Sequence, residues 1–527
     1  MSSKRLRSAL TAAALATGFV SFALYAVAGD YLTAGGDAGR TGWLKGEKII
    51  SKANAGQIKL LWKTKLPSTP RQMHNLFSPL IAQSLSTPSG TKEVAIVAGV
   101  SDDLWGLNAG TGDVLWSKHF PAVGLTGQGP QSGTLCPGGQ TAVPTMQKMP
   151  DGTYKVWALS GDGRIWQINA ATGGEMAPPE RFAPPAGKAY ALNLAGDFIY
   201  TVQAQGCGGA TYQLDGYNMK TRRTTALYPG GGGLWGRRGA MVDPEGRVYE
   251  GTGDGPYDPE HQELGNVLFQ AKPDANGQLQ MLGWFAPPNA NYEYKHDLDM
   301  NVTPLALDYS GRKFMIGTGK ECRLWLLDRD NLGGGSSTLH RATLDTSGLI
   351  CNDRQQYDAA GVWGSPAAYV NSRNEAWVYT PFWGPKSDTF NPPLASKPEP
   401  VQGGVSAHTI SLVNGKWKLT PKWLSEDMNM GEEVLIANGL VFAYGSGENT
   451  NQAGVDSSWD KPAPQGSRIQ KSTYATLYVL DADTGKTLWS SGKEITSWNH
   501  FSGITVANGK IYLGTFDGTT WCFGIAK

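Results

Sequence analysis

The chain has 527 residues, and 46 Lys+Arg against 45 Asp+Glu give a formal net charge of +1. That balance excludes an electrostatically driven nucleic-acid binder and an acidic tail. Charged residues are only 17%, below the ~25% of ordinary soluble domains, while 69 Gly and 18 Trp argue for many tight turns between well-packed strands and against a helical bundle or disorder.

The chain opens on a targeting segment. Lys4, Arg5 and Arg7 form a positive n-region, an apolar run follows from Ala9 to Val27, and Ala26 and Ala28 are spaced as an A-x-A cleavage site. Residues 1–28 are expected to be removed as a signal peptide, leaving 29–527 as one exported, periplasmic domain; a retained membrane anchor is the alternative. Nothing after residue 30 is apolar enough to cross a membrane. The cysteines are 136, 207, 322, 351 and 522, an odd count with no C-x-x-C. This excludes a covalently attached c-type haem and the usual zinc fingers, and leaves at least one thiol unpaired or intermolecular.

From there the chain repeats. Leu60 to Leu66 reads as an outer strand with no preceding partners and resembles Val114 to Phe120. Asn108-Ala-Gly-Thr-Gly-Asp-Val-Leu-Trp116 recurs as Asp481-Ala-Asp-Thr-Gly-Lys-Thr-Leu-Trp489, and Asn169 to Met176 keeps Ala170, Thr172 and Gly173. The Asx side chain bonds its own backbone and the Gly supplies positive φ, so each copy is a tight turn between strands. A second unit, Ser160-Gly-Asp-Gly-Arg-Ile-Trp166, recurs as Gly319-Lys-Glu-Cys-Arg-Leu-Trp325 and Thr515-Phe-Asp-Gly-Thr-Thr-Trp521. Further hairpin signals lie at Asp151-Gly152, Gly196-Asp197, Glu245-Gly246, Ser310-Gly311, Asn438-Gly439 and Asn508-Gly509.

The unit is four antiparallel strands and three turns, and about eight units start near residues 77, 141, 189, 239, 302, 362, 431 and 501. The last stops one strand short, so the early strand at 60–66 completes it. The predicted fold is therefore all-β: an eight-bladed β-propeller whose ring is closed by an N-terminal strand, which protects the exposed edges. A solenoid or a pair of sandwiches is the competing architecture.

Strand parity then sorts the loops. The Asx-Gly and Thr-Gly turns fall on one face. The long stretches 120–140, 203–211, 228–238, 253–266, 284–301, 347–362, 383–404 and 445–474 fall on the other, where function is expected. Three segments on that face carry chemistry. Asp254 ends a strand in Gly251-Thr-Gly-Asp254, Asp297 and Asp299 stand two apart in His296-Asp-Leu-Asp299, and Lys320 caps the next unit's hairpin. If extended, Asp297 and Asp299 point to one side, ~7 Å apart. Convergent carboxylates need a cation, and a hard metal such as Ca²⁺ or, in part, Lys320 would serve. On spacing alone, the plainer reading is that Asp297 and Asp299 are solvated loop acids and Asp254 a turn-former.

The repeat, its order and residues 235–329 resemble the PQQ-dependent (quinoprotein) alcohol dehydrogenases, which are eight-bladed periplasmic propellers. Gly251-Thr-Gly-Asp254 resembles the family's G-[ST]-G-N metal-binding segment with Asp in place of Asn, and His296-Asp-Leu-Asp299 resembles its W-D-x-[AD] segment. The resemblance implies Asp297 as the proton acceptor and Asp299 as the extra carboxylate of lanthanide-using members. It implies Lys320, ahead of Arg323-Leu-Trp-Leu-Leu-Asp-Arg329, as the cation on the quinone oxygens, and Trp235 as the indole on which the quinone lies. The cofactors implied are PQQ and Ca²⁺ or a lanthanide. The chain departs from the pattern in three places. The adjacent-cysteine pair over the quinone is missing. The third-blade metal-ligating Glu falls near Gln205–Gly208, where Cys207 is closest. The first-blade Glu is absent near His74–Ser78. A Cys136–Cys207 disulfide, on one face in neighbouring blades, is a candidate substitute at the cofactor.

The expected function is an exported oxidoreductase that oxidises an alcohol-type substrate with PQQ and a metal. It would hand electrons to a separate cytochrome or quinone, with no nucleic-acid partner and no membrane span after cleavage. Two alternatives stay open: a non-catalytic propeller scaffold of the cell envelope that binds peptides or partners, and a hydrolase or carbohydrate binder that uses the aromatic loops. No Ser/His/Asp grouping stands out among the 7 His for the latter.

Overall fold

The computed structural model describes residues 29–121, 135–333, 342–357, 360–449 and 465–525. The expected signal at 1–28 lies outside them. Eight antiparallel sheets follow one another in chain order. Blades 1 to 7 span Leu80–His119, Thr145–Arg181, Asn193–Leu227, Met241–Phe285, Leu305–Thr346, Ala367–Leu424 and Leu435–Ser490. Blade 8 combines Thr505–Gly524 with the strand Lys59–Lys65. The early strand lies antiparallel to the last, with Lys59 opposite Gly524 and Lys65 opposite Thr519. The ring therefore closes as the repeat requires. Blade 4 carries an inserted hairpin, Tyr257–Asp258 with Glu263–Leu264, and blade 6 a fifth short strand, Leu394–Ala395.

The repeated motifs are the joints between blades. In three copies the outer-strand Trp of one blade donates its indole N–H to the Ala carbonyl of the next blade's turn: Trp62 to Ala109 at 3.1 Å, Trp116 to Ala170 at 3.0 Å and Trp423 to Ala482 at 2.9 Å. The Gly of that turn has φ near +75°, and a Cβ on Gly112, Gly173 or Gly485 would run into the same indole. The second motif is internal. Ser160 Oγ accepts the Trp166 indole N–H at 2.9 Å and donates to Asp162 at 2.5 Å; Thr515, Trp521 and Asp517 repeat this at 3.0 and 2.6 Å.

One feature is absent from the repeat. Residues 29–47 hydrogen-bond in turn to the first strand of each blade or its flanks, among them Ile81, Met146, Asn193, Val242, Ala306, Ala368, Ile436 and Gly509. A segment that touches every innermost strand runs around the inside of the ring, covering their inward edges. Arg238, 1% exposed, ties this girdle to blades 6 and 7 by donating to Arg40 O at 3.3 Å and to Pro366, Val434 and Glu433 at 2.7–3.0 Å. Most long connections fall between second and third strands or between blades, which places them on one face as parity requires. An exception is the connection that leaves Asp328 and re-enters at Thr343, whose two described ends lie at the other face.

Candidate functional site

The second motif fails where the chemistry begins. At its blade 5 copy the hydroxyl residue is Gly319, because a Cβ there would collide with the Asp299 carbonyl. The turn is held instead by Lys320, whose N–H donates to Asp299 O at 3.1 Å. Its ammonium bonds Asp297 Oδ1 at 2.5 Å and Asp299 Oδ2 at 2.9 Å. Asp254 joins from blade 4, its backbone N–H donating to Asp299 Oδ1 at 2.8 Å. One oxygen each of Asp254, Asp297 and Asp299 lies within 4.8 Å of the others. The structure thus brings together all four residues singled out by spacing.

Their local backbone differs from the extended expectation. A short helix, Ala290–Lys295, leads into Asp297, which takes a left-handed φ of +52°. The two acids converge through a turn rather than strand alternation. Six helical residues are too few for apolar periodicity to announce them.

The charges are unequal in their surroundings. Burial lifts Asp297 well above the ordinary carboxylate range, with Asp299 adding to the lift and Lys320 opposing it. Burial would lift Asp299 too, but the Lys320 charge and the hydrogen bonds from Lys320, Asp297 and the Asp254 N–H pull it below that range. Burial and then Asp299 raise Asp254. Lys320 is raised because its two carboxylates outweigh burial. Three acids against one ammonium leave a formal excess of two negative charges lined by hard oxygen donors. That donor set fits Ca²⁺ or a lanthanide.

Several side chains in the site gave no sequence signal. Trp363 lies under the Lys320 ammonium at 4.7 Å and Tyr357 at 5.5 Å. Trp363 stacks on Trp383 at 5.0 Å and 13°. Both indole N–H groups are buried without a partner among the described residues. Behind the acids, Glu293 of the helix is fully buried beside Glu321, and burial, then Glu321, then Asp299 raise it well above its usual range. Only departure from the repeat could have marked Trp363, as an aromatic ahead of a blade rather than within one.

Trp235 is half-buried at the lead-in to blade 4, with the Lys188 ammonium 4.9 Å over its ring. Asn301 Oδ1, the His74 ring nitrogens and the Asn499 side-chain amide are also buried and unpartnered among the described residues. These orphaned donors and acceptors, together with a half-open indole, fit a flat, polar-edged ligand such as PQQ. Cys136 and Cys207 form a disulfide with Cα atoms 5.5 Å apart. A second disulfide, Cys322–Cys351, was not anticipated; it pins the 347–362 loop to the Lys320 turn, where Asn352 Nδ2 donates to Lys320 O at 2.8 Å. Cys522 is the free thiol and is buried.

No protein-family profile and no curated protein matches the chain. Solved structures do. A europium-containing methanol dehydrogenase superposes with a TM-score of 0.59 at 12% identity, covering 95% of this chain and 98% of that one. A quinohemoprotein alcohol dehydrogenase from Comamonas testosteroni gives 0.53 at 14%, covering 94% and 80%. The enzyme ADHIIG from Pseudomonas putida HK5 gives 0.55 at 14%, covering 95% and 81%. At these identities the likeness establishes the eight-bladed fold. No helix among the described residues is long and apolar enough to cross a membrane.

Proposed function

We propose that the protein is a periplasmic quinoprotein dehydrogenase that oxidises an alcohol-type substrate and delivers electrons to a separate cytochrome or quinone. The observation that carries this reading is the convergence of Asp254, Asp297 and Asp299 on Lys320 in adjacent blades. Asp254 and Asp299 would hold Ca²⁺ or a lanthanide, and Trp235 would support the plane of PQQ, with the Cys136–Cys207 disulfide near it. When bound, the quinone and metal supply the hydride acceptor and the Lewis acidity that the side chains lack.

The chain's own part is acid–base chemistry and positioning. Asp297, 24% exposed and bonded to Lys320, is the acid we assign to take the proton of a substrate hydroxyl, and burial raises its affinity for that proton; Asp254, the more exposed acid, is left to the metal. Asp299, buried and held ionised, stays a fixed anion that orients Lys320. Lys320 remains charged throughout and presents a positive edge to any oxygen that gains negative charge. Trp363 and Tyr357 shield that ammonium from water on one side.

Reconstitution tests the reading. Purified protein loaded with PQQ and either Ca²⁺ or a lanthanide should reduce an artificial dye with a panel of alcohols. Absence of PQQ binding by absorbance and calorimetry under both metals would end it.

A further inference from the structure

Away from the acids lies a second, oppositely charged cluster. Lys320 touches Trp363, Trp363 faces Phe501 at 6.4 Å, and the Arg237 guanidinium sits 3.1 Å from the Phe501 centroid. Around this point gather Lys188 from the lead-in to blade 3, Arg237 from the lead-in to blade 4, Arg468 from the 445–474 connection, and His74 and His500 from the approaches to blades 1 and 8. His74 and His500 meet edge to face at 4.7 Å, and the charges of Lys188, Arg237 and Arg468 act on both rings. His74 is 4% exposed, and neither of its nitrogens has a partner among the described residues.

The acids facing this cluster are two. Glu448 bonds His500 Nδ1 at 2.7 Å and also pairs with Arg468. Glu432 accepts the Tyr444 hydroxyl. Burial lifts Glu448 to about 7 and Glu432 to about 8. Burial first, and then the neighbouring cations, hold His74, His500 and Lys188 low. The cluster thus gathers two guanidinium groups, the Lys188 amine that burial holds low, and an orphaned imidazole around aromatic faces, with acids that give up their protons reluctantly. A single phosphate needs one compact nest of donors. Here the basic groups come from three separate segments, and two of them, Lys188 and Arg237, flank the planes of Trp235, Tyr190 and Phe501.

We propose that His74, Lys188, Arg237, Arg468 and His500 form a proton-coupled binding site for a planar aromatic polycarboxylate, which is bound together with protons taken up by His74 and its neighbours. A carboxylate brought beside His74 and Lys188 favours their charged forms, and beside Glu432 and Glu448 it favours their neutral forms. All four responses have the same sign: protons enter with the ligand, and affinity falls as pH rises. The proposal rests on the quinone reading only for the natural identity of the ligand, since PQQ is itself a planar tricarboxylate.

The test is calorimetry on the purified protein with two probes, PQQ and benzene-1,3,5-tricarboxylate, at pH 6, 7 and 8. At pH 7, two buffers of different ionisation enthalpy are compared. Binding should take up protons and weaken up to about tenfold per pH unit. Lys188→Met and Arg237→Gln should each weaken both probes at least tenfold. His74→Gln should reduce proton uptake and flatten the pH dependence, which decides the matter even if a cation variant misfolds. Binding of the tricarboxylate but not of PQQ upholds this site and defeats the quinone reading. PQQ binding with no proton uptake, or with unchanged affinity in Lys188→Met and Arg237→Gln, overturns this site and leaves the quinone reading intact. Failure of both probes to bind overturns this site.

Discussion

Asp297 and Lys320 divide the work of the acidic cluster, and substitution separates their roles. Asp297→Asn keeps the shape but removes the base, so turnover should fall about 10²–10⁴-fold while metal affinity, measured by calorimetry, changes much less. Lys320→Met should act differently. It leaves Asp299 buried without its cation, and breaking a buried pair costs about 3 kcal/mol or more, read as a lower melting temperature without metal. The same variant should gain more stability from added Ca²⁺ than the wild type does, because three acids then face the ion uncompensated. Sequence spacing pointed to these residues, Asp297 through its place two residues before Asp299 and Lys320 through its place at a hairpin tip. It could not identify Trp363, Glu293 or His74, whose partners come from distant blades and leave no local pattern.

At the scale of the element, the repeated turn is a docking device. The Gly of Asx-x-x-Thr-Gly satisfies two demands at once, a positive φ and an indole lying where a Cβ would stand. Gly173→Ala should therefore destabilise by more than the ~1 kcal/mol of a left-handed alanine, since Trp116 must also move. Trp116→Phe should cost about 1 kcal/mol for the lost indole hydrogen bond. Both are measured by urea unfolding. This joint explains why the strands, turns and blade count were legible in the sequence: periodic apolar strands and Gly-bearing turns are local signals, and they recur. The short helix before Asp297 and the inner girdle at 29–47 were not legible. Six helical residues show no period, and the girdle's bonds are separate contacts to eight different blades, made by backbone atoms and by isolated side chains such as Tyr31, Arg40 and Glu47, which form no local pattern.

The whole molecule carries a set of buried acids whose titration sets its response to pH. Burial lifts Asp215 and Glu448 to about 7, and Glu250 and Glu432 to about 8. An acid raised in the folded state holds a proton that the unfolded chain releases, so stability falls as pH rises through that window, by about 1.4 kcal/mol per pH unit for each such group. The buried His74, His408 and His500 work the other way. Burial holds them low, His408 to about 4, and their contribution grows up to the ordinary imidazole value near 6.5 and then stops. Between pH 4.5 and 6.5 the four acids exceed the three histidines by about one proton, so stability falls by about 1.4 kcal/mol per pH unit. Above 6.5 the acids continue without the histidines, opposed by buried bases such as Lys188, which burial also holds low. The melting temperature should thus decline from pH 6.5 to 8, and a rise over that range would contradict the assignment of these carboxyls as buried and neutral.

Because Lys59–Lys65 shares a sheet with Thr519–Gly524, the first strand made by a ribosome waits for the last. Residues 29–47 wait as well, since their partners are distributed over every blade. Synthesis therefore produces a growing array with two unsatisfied edges, and the native circle forms in one late event after the final strand has arrived. A nascent chain that stalls short of residue 519 has no partial ring to fall back on, and its open edges offer themselves to any other strand in reach.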